Sequence, residues 1–225
     1  MKKLFLIIAA VMMAVSVMAE IYPTKFLGIP VDGTKQEMIQ KLKAKGFMYH
    51  NEHGEEFLTG EFNGSSVHIF IDTNNNKVYR IMVAEANSYP EKQIRIRYNN
   101  LMQQFNDNKK YVSAVPGQTF IPSDEDISYE MTVHNKTYNA TYVQITHDLD
   151  TTIVRQDMSK ALEEIPVSLA SELDAETLAA YCIMRAVVMQ YENNMVWFTI
   201  SEFKGEYYLS IYYDNLYNQA NGEDL

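Results

Sequence analysis

Phe57-Leu58-Thr59-Gly60-Glu61-Phe62-Asn63-Gly64-Ser65-Ser66-Val67-His68-Ile69-Phe70-Ile71 is the stretch that decides the fold class. Two apolar and aromatic runs, Phe57 to Phe62 and Val67 to Ile71, flank Asn63-Gly64. A two-residue hairpin turn needs positive φ at both central positions, and Asn-Gly reaches that conformation at least cost. Lys77 to Val83 continues the alternation through Val78, Ile81 and Val83. Ile127 to Val133, His134-Asn135-Lys136 and Tyr138 to Ile145 read as a second hairpin. Val196 to Ile200, Phe203-Lys204-Gly205 and Tyr207 to Tyr213 read as a third. Single helices between strands are also compatible with parallel βαβ units. Turns this tight favour hairpins, because parallel neighbours require a long crossover.

Three helices are marked by their ends. Thr34-x-x-Glu37 is a capping box, Met38, Ile39 and Leu42 follow as an apolar stripe, and Gly46-Phe47 is a left-handed stop. Ser88-x-x-Glu91, with Pro90 in the first turn, reads as a second start, followed by Ile94, Tyr98, Leu101, Met102 and Phe105 on one face. A third helix opens near Asp174, and from Leu178 to Tyr191 only Arg185 and Gln190 are polar, so it is either central or an interface. The expectation is an α+β fold: an antiparallel meander sheet built from hairpins, with about three helices packed on one face. Helix followed by hairpin occurs three times, with similar turns at Phe62-Asn63-Gly64, Val133-His134-Asn135 and Phe203-Lys204-Gly205. Any meander gives such spacing, so a true repeat stays open. Ser113 to Asp126 reads as a long loop carrying Pro116, Gly117, Pro122 and the acidic triplet. Residues 147–173 read as irregular and mark where a boundary would fall, if residues 20–225 are more than one domain.

The first nineteen residues have the layout of a signal peptide. Lys2 and Lys3 form a basic n-region, Leu4 to Val17 is uncharged and apolar, and Val17-Met18-Ala19 suits cleavage. The run is too short and wrongly flanked to span a membrane. A mature chain starting at Glu20 in the periplasm or outside the cell is therefore expected, with no membrane insertion after cleavage. Loss of Lys2 and Lys3 from the 19 bases leaves 17 against 29 acids, a formal charge of −12. A field of that sign repels phosphate backbones and anionic lipid, which makes nucleic acid a poor partner. Cys182 is the only cysteine, so no intramolecular disulfide forms. Its apolar helical neighbours predict a buried, inert thiol.

No catalytic or cofactor signature emerges, and no cofactor or metal is expected. Asp72-Thr73-Asn74-Asn75-Asn76 starts like a calcium loop, but position 6 is Lys77 rather than Gly and position 12 is Val83 rather than Glu. A turn explains the asparagines better. His50-Asn51-Glu52-His53 lacks the spacing of a zinc helix, and His68, His134 and His147 would have to be gathered by folding. There is no Gly-x-Ser-x-Gly motif and no phosphate-binding loop.

The aromatic content carries the positive signal. Tyr207, Tyr208, Tyr212, Tyr213 and Tyr217 crowd one short stretch. On a strand, Tyr208, Ser210 and Tyr212 point one way, and Trp197 on a neighbouring strand can join them. Two readings stand: an exposed aromatic platform, or tyrosines that merely suit a strand and pack beside the third helix. The candidate binding residues are Trp197, Tyr208 and Tyr212, with Asp124, Glu125 and Asp126 on the long loop. Their partner would be a protein, a peptide or a glycan.

Phe26-Leu27-Gly28-Ile29-Pro30-Val31-Asp32-Gly33, then the first helix and Lys45-Gly46-Phe47, resembles the opening of secreted proteins of Gram-negative gut anaerobes. Asn74-Asn75-Asn76-Lys77-Val78 and Asn221-Gly222-Glu223-Asp224-Leu225 are similar to segments of the same group. The resemblance implies secretion and carries no activity to any residue. In general order only, the helix-then-meander unit is similar to β-lactamase-inhibitor-protein and PepSY-type modules. The function expected from the sequence is non-catalytic binding in the cell envelope. The alternative is an extracytoplasmic hydrolase whose carboxylates or histidines meet only on folding.

Overall fold

Asn63 and Gly64 take φ of 51° and 73°, Asn75 and Asn76 47° and 60°, and Lys204 and Gly205 54° and 81°. Each pair closes a two-residue hairpin of the twist-compatible kind. The computed structural model describes residues 21–52, 54–165, 171 and 173–220. The expected signal peptide therefore lies outside the described residues, as do His53 and residues 221–225. A two-strand ribbon of β1 (Lys25–Phe26) and β2 (Ile29–Pro30) comes first. Next are helix α1 (Lys35–Ala44) and four antiparallel strands, β3 (Met48–Glu52), β4 (Glu55–Phe62), β5 (Ser65–Asn74) and β6 (Lys77–Glu85). Helix α2 (Glu91–Asp107), β7 (Tyr111–Ser113), helix α3 (Ile127–Val133) and β8 (Asn139–Gln144) follow. Helices α4 (Thr151–Glu164) and α5 (Ala175–Gln190) precede the closing hairpin, β9 (Met195–Phe203) and β10 (Glu206–Asp214). Strands β3 to β10 form one eight-stranded sheet in the order β3-β4-β5-β6-β10-β9-β8-β7, every pair antiparallel.

The last hairpin thus inserts beside β6 in the middle of the sheet rather than adding to its end. Alternation then sorts the strands into two faces. Leu58, Ile69, Val83, Ile211, Phe198 and Ala140 lie on one face and are buried with Met38, Leu42, Ile94, Tyr98, Met102 and Phe105 of α1 and α2. The capping box at Thr34 forms as expected. Phe47 N–H bonds Leu42 O and Gly46 N–H bonds Lys43 O, a Schellman stop with Gly46 at φ 98°.

Burial of phenols in this core has a pH consequence. Desolvation pushes Tyr142 up to about 12 from 10.0 and also raises Tyr98, Tyr138 and Tyr213. The folded state therefore keeps protons that the unfolded chain releases near pH 10. This contribution is whole below about pH 10 and is lost as pH rises from there through about 12. Melting temperature should fall over that interval, with tyrosinate absorbance appearing in step with unfolding. A melting temperature that stays level to pH 12 would contradict it.

Three expectations are corrected. Residues 127–133 are helix α3 and not a strand. Asp126 accepts from the Tyr129 N–H as N-cap, and Ile127 is buried against the α2 side of the core. The resemblance of Val133-His134-Asn135 to a hairpin turn falls with it, and β8 pairs instead with β7. Residues 147–173 are not irregular throughout, since Asp150 caps α4 by accepting from Thr152 and Ile153 N–H. Five helices stand among the described residues rather than about three, and they do not share one face. Val143 pairs with Val112 and Met195 and points away from Tyr142; with Val188 and Tyr191 it forms a separate cluster that seats α5 on the opposite face, at the β7 edge. In addition, α2 lacks the Ser88 box: its N-cap is Pro90 without a side-chain bond, and the Ser88 hydroxyl donates to Glu206 instead. Cys182 is buried, and Ile183 beside it is exposed.

Candidate functional site

On the sheet face away from α1 and α2, one cross-strand row runs through seven strands. His50 stands opposite Phe57, Phe70 opposite Met82, Met82 opposite Tyr212, Tyr212 opposite Trp197, and Trp197 opposite Thr141. Phe57 and Phe70 complete the row, with ring centroids 6.1 Å apart. At the spacing of antiparallel strands the row is about 29 Å long. All its members are half-buried. Their cross-strand neighbours account for the buried half, and solvent meets the rest.

The expected trio is divided by this geometry. Trp197 and Tyr212 stack with centroids 3.9 Å apart and planes 7° from parallel. Tyr208 lies on the same face four residues before Tyr212 in β10, opposite Ser201. It is half-buried and belongs to the next but one row, beyond small residues. None of the three belongs to the clusters packed around α1, α2 or α5.

Asp214 fixes the stack. Its carboxylate, 4% exposed, accepts from Arg80 Nε at 2.6 Å, Arg80 Nη2 at 2.8 Å and Trp197 Nε1 at 2.9 Å. Its carbonyl accepts from the Thr24 hydroxyl at 2.5 Å. The hydrogen bonds to Asp214 raise the Arg80 pKa further, so the guanidinium stays charged. It sits 5.2 Å from the Tyr212 ring centroid and 5.6 Å from that of Trp197. At the other end of the row, Phe57 stacks on His50 at 5.1 Å and meets His68 edge-on at 5.4 Å. The His50 ring is fixed by Thr59 Oγ1, 2.8 Å from Nε2.

The acidic triplet does not join this face. Glu125 is held by Lys136 and by the Tyr138 hydroxyl at 2.6 Å, and the Lys136 hydrogen bond keeps its carboxyl below the usual range. Asp126 is spent as the α3 cap, and only Asp124 is uncommitted to a cap or cation and open to solvent. The loop around them is pinned. Asn99 exchanges two hydrogen bonds with the backbone of Ile121, both 2.9 Å, and Arg95 donates to Glu125 O at 3.0 Å. Asp72 to Asn76 is a hairpin end, as the turn reading requires. Of the described histidines, His50 and His68 flank Phe57, while His134 bonds Glu130 and His147 stacks on Tyr22 at 4.2 Å. Among the described residues no group of three His, Cys, Asp or Glu is placed to hold a metal ion. No helix among them is long and apolar enough to cross a membrane.

Sequence reading missed Phe57, Phe70, Met82 and Arg80 as parts of this face. Their alternation was visible, yet which strand neighbours β6 was not. Comparison with protein-family models, with curated proteins and with solved structures returns no match.

Proposed function

We propose that the protein is a non-catalytic binding protein of the periplasm or cell exterior, and that its ligand surface is the sheet face away from α1 and α2, alongside the edge where α5 is seated. The observation that carries this reading is the continuous row from His50 to Trp197. Half-open aromatic and thioether side chains in register across a rigid sheet are costly to leave in water unless something covers them. Their types are those enriched where proteins bind: Trp, Tyr, Phe, Met and Arg. The signal-peptide layout supplies the address. No arrangement among the described residues favours the hydrolase alternative, since the most enclosed carboxylates, Asp214, Asp157 and Glu85, each face a cation.

The test is retention of a partner from envelope extract of the native host by the mature chain and by Trp197→Ala, Tyr208→Ala and Tyr212→Ala. If the row anchors the ligand, Trp197→Ala and Tyr212→Ala should each weaken retention by roughly 1–2 kcal/mol or more, and Tyr208→Ala by less. Retention unchanged in all three variants would remove the sheet face as the binding surface.

A further inference from the structure

Two features of this face, taken with the reading above on which they rest, narrow the ligand class. The first is ring orientation. Trp197 and Tyr212 spend their facing sides on each other and are flanked in the row by Thr141 and Met82. Phe57 is stacked by His50 on one side and met by His68 on another. At these stacks the row presents ring edges, with the Met82 thioether beside them, rather than a ring lying open and flat. A sugar ring binds aromatics by laying its C–H face on a free ring face, and the facing sides within the Trp197–Tyr212 and His50–Phe57 stacks are already taken. A protein surface packs aliphatic and aromatic side chains among ring edges without that requirement.

The second feature is charge. Alternation places Glu52, Glu55, Glu61, Asp72 and Glu206 on this side of the sheet. Opposing them are Arg80, whose guanidinium is taken by Asp214, and Lys77 and Lys204 at hairpin tips. Glu52 and Glu55 are direct cross-strand partners and both exposed. Like charges directly opposite destabilise a strand pair. Glu52 Oε1 lies 3.7 Å from His50 Nδ1, and a cationic rim on a partner would relieve the remaining Glu52–Glu55 repulsion.

We infer that the face docks a basic protein: an apolar anchor seated on the Phe57–Trp197 row, with Lys or Arg beside it reaching Glu52 and Glu55. The probe is a random displayed-peptide library selected on the immobilised mature chain, followed by affinity measurement of one synthetic recovered peptide. Expected are sequences with Trp, Phe, Leu or Met next to Lys or Arg, and binding that weakens as salt rises. Trp197→Ala should weaken that peptide about tenfold or more. Glu52→Gln with Glu55→Gln should weaken it several-fold while raising the melting temperature, because the repulsion is gone, and so reports a folded variant. Glu163→Gln, on α4, should leave binding unchanged. Binding that depends on Trp197 but not on Glu52, Glu55 or salt overturns the basic partner and keeps the sheet face. Binding indifferent to Trp197 and Tyr212 overturns both. An empty selection, or Trp197-dependent binding to immobilised neutral oligosaccharides in its place, overturns the protein partner.

Discussion

Phe198→Ala should cost about 4 kcal/mol of folding stability, measured as a shift of the urea midpoint at constant slope. Phe198 is fully buried in β9, opposite Ile211 on one side and Ala140 on the other. Its ring meets Tyr98 edge-on at 5.0 Å and lies 5.4 Å from Phe105 and 6.3 Å from Tyr142. It is therefore the point where α2 is welded to the middle of the sheet. Three large aromatic rings cannot collapse into the vacated space without leaving their rotamers, so the cavity persists. Phe198→Leu should recover most of the loss. A cost below about 1 kcal/mol would mean that α2 closes onto the sheet freely and that this aromatic cluster is not rigid.

Asp214→Ala should cost about 3 kcal/mol, with a second signature that a purely apolar deletion lacks. The substitution strands Arg80 on a partly enclosed face and removes the acceptor of the Trp197 indole N–H. A partly buried guanidinium without a counter-charge and an indole without an acceptor each carry a desolvation penalty. The Trp197–Tyr212 stack would then lose its anchor, so the near-ultraviolet dichroism of the single tryptophan should diminish along with stability. Asp214→Asn, which keeps an acceptor and loses the charge, should fall between. Unchanged tryptophan dichroism in a destabilised Asp214→Ala would show that packing against Met82 and Thr141 holds the stack without the carboxylate.

The two halves of the binding face differ in how they could be read. Tyr208 and Tyr212 sit in one strand, and period two alone places them on a common side; Trp197 follows from the Lys204-Gly205 turn, which fixes the register of β9 against β10. Phe57, Phe70 and Met82 join only because β10 pairs with β6, a contact between residues more than a hundred positions apart. Arg80 and Asp214 meet through the same pairing. The acidic triplet shows the opposite failure. Asp124, Glu125 and Asp126 look like one exposed cluster in the sequence, yet a cap and an ion pair take two of them.

What the sequence determined by itself is the set of local decisions. Asn63-Gly64, Asn75-Asn76 and Lys204-Gly205 can close tight turns because Asn and Gly tolerate positive φ, and Lys204 follows where Gly205 completes the pair. Thr34-x-x-Glu37 and Asp174 satisfy orphan N–H groups within a few residues of themselves. The alternation of strand residues then sorts each strand into two faces. Tertiary structure decided the rest. Ile127 to Val133 alternates like a strand, but β8 already has β7 and β9 as neighbours, and the Asp126 cap with Ile127 anchored in the core makes it a helix. Helix α4 became legible only once its partner α5 was in place, since its buried stripe of Val154, Asp157 and Ala161 is thin without it. Which strand lies beside which is set by the fit of whole apolar faces, summed over many residues. No short stretch of sequence encodes that sum, so the order β6-β10-β9 and the aromatic row it assembles belong to the folded chain alone.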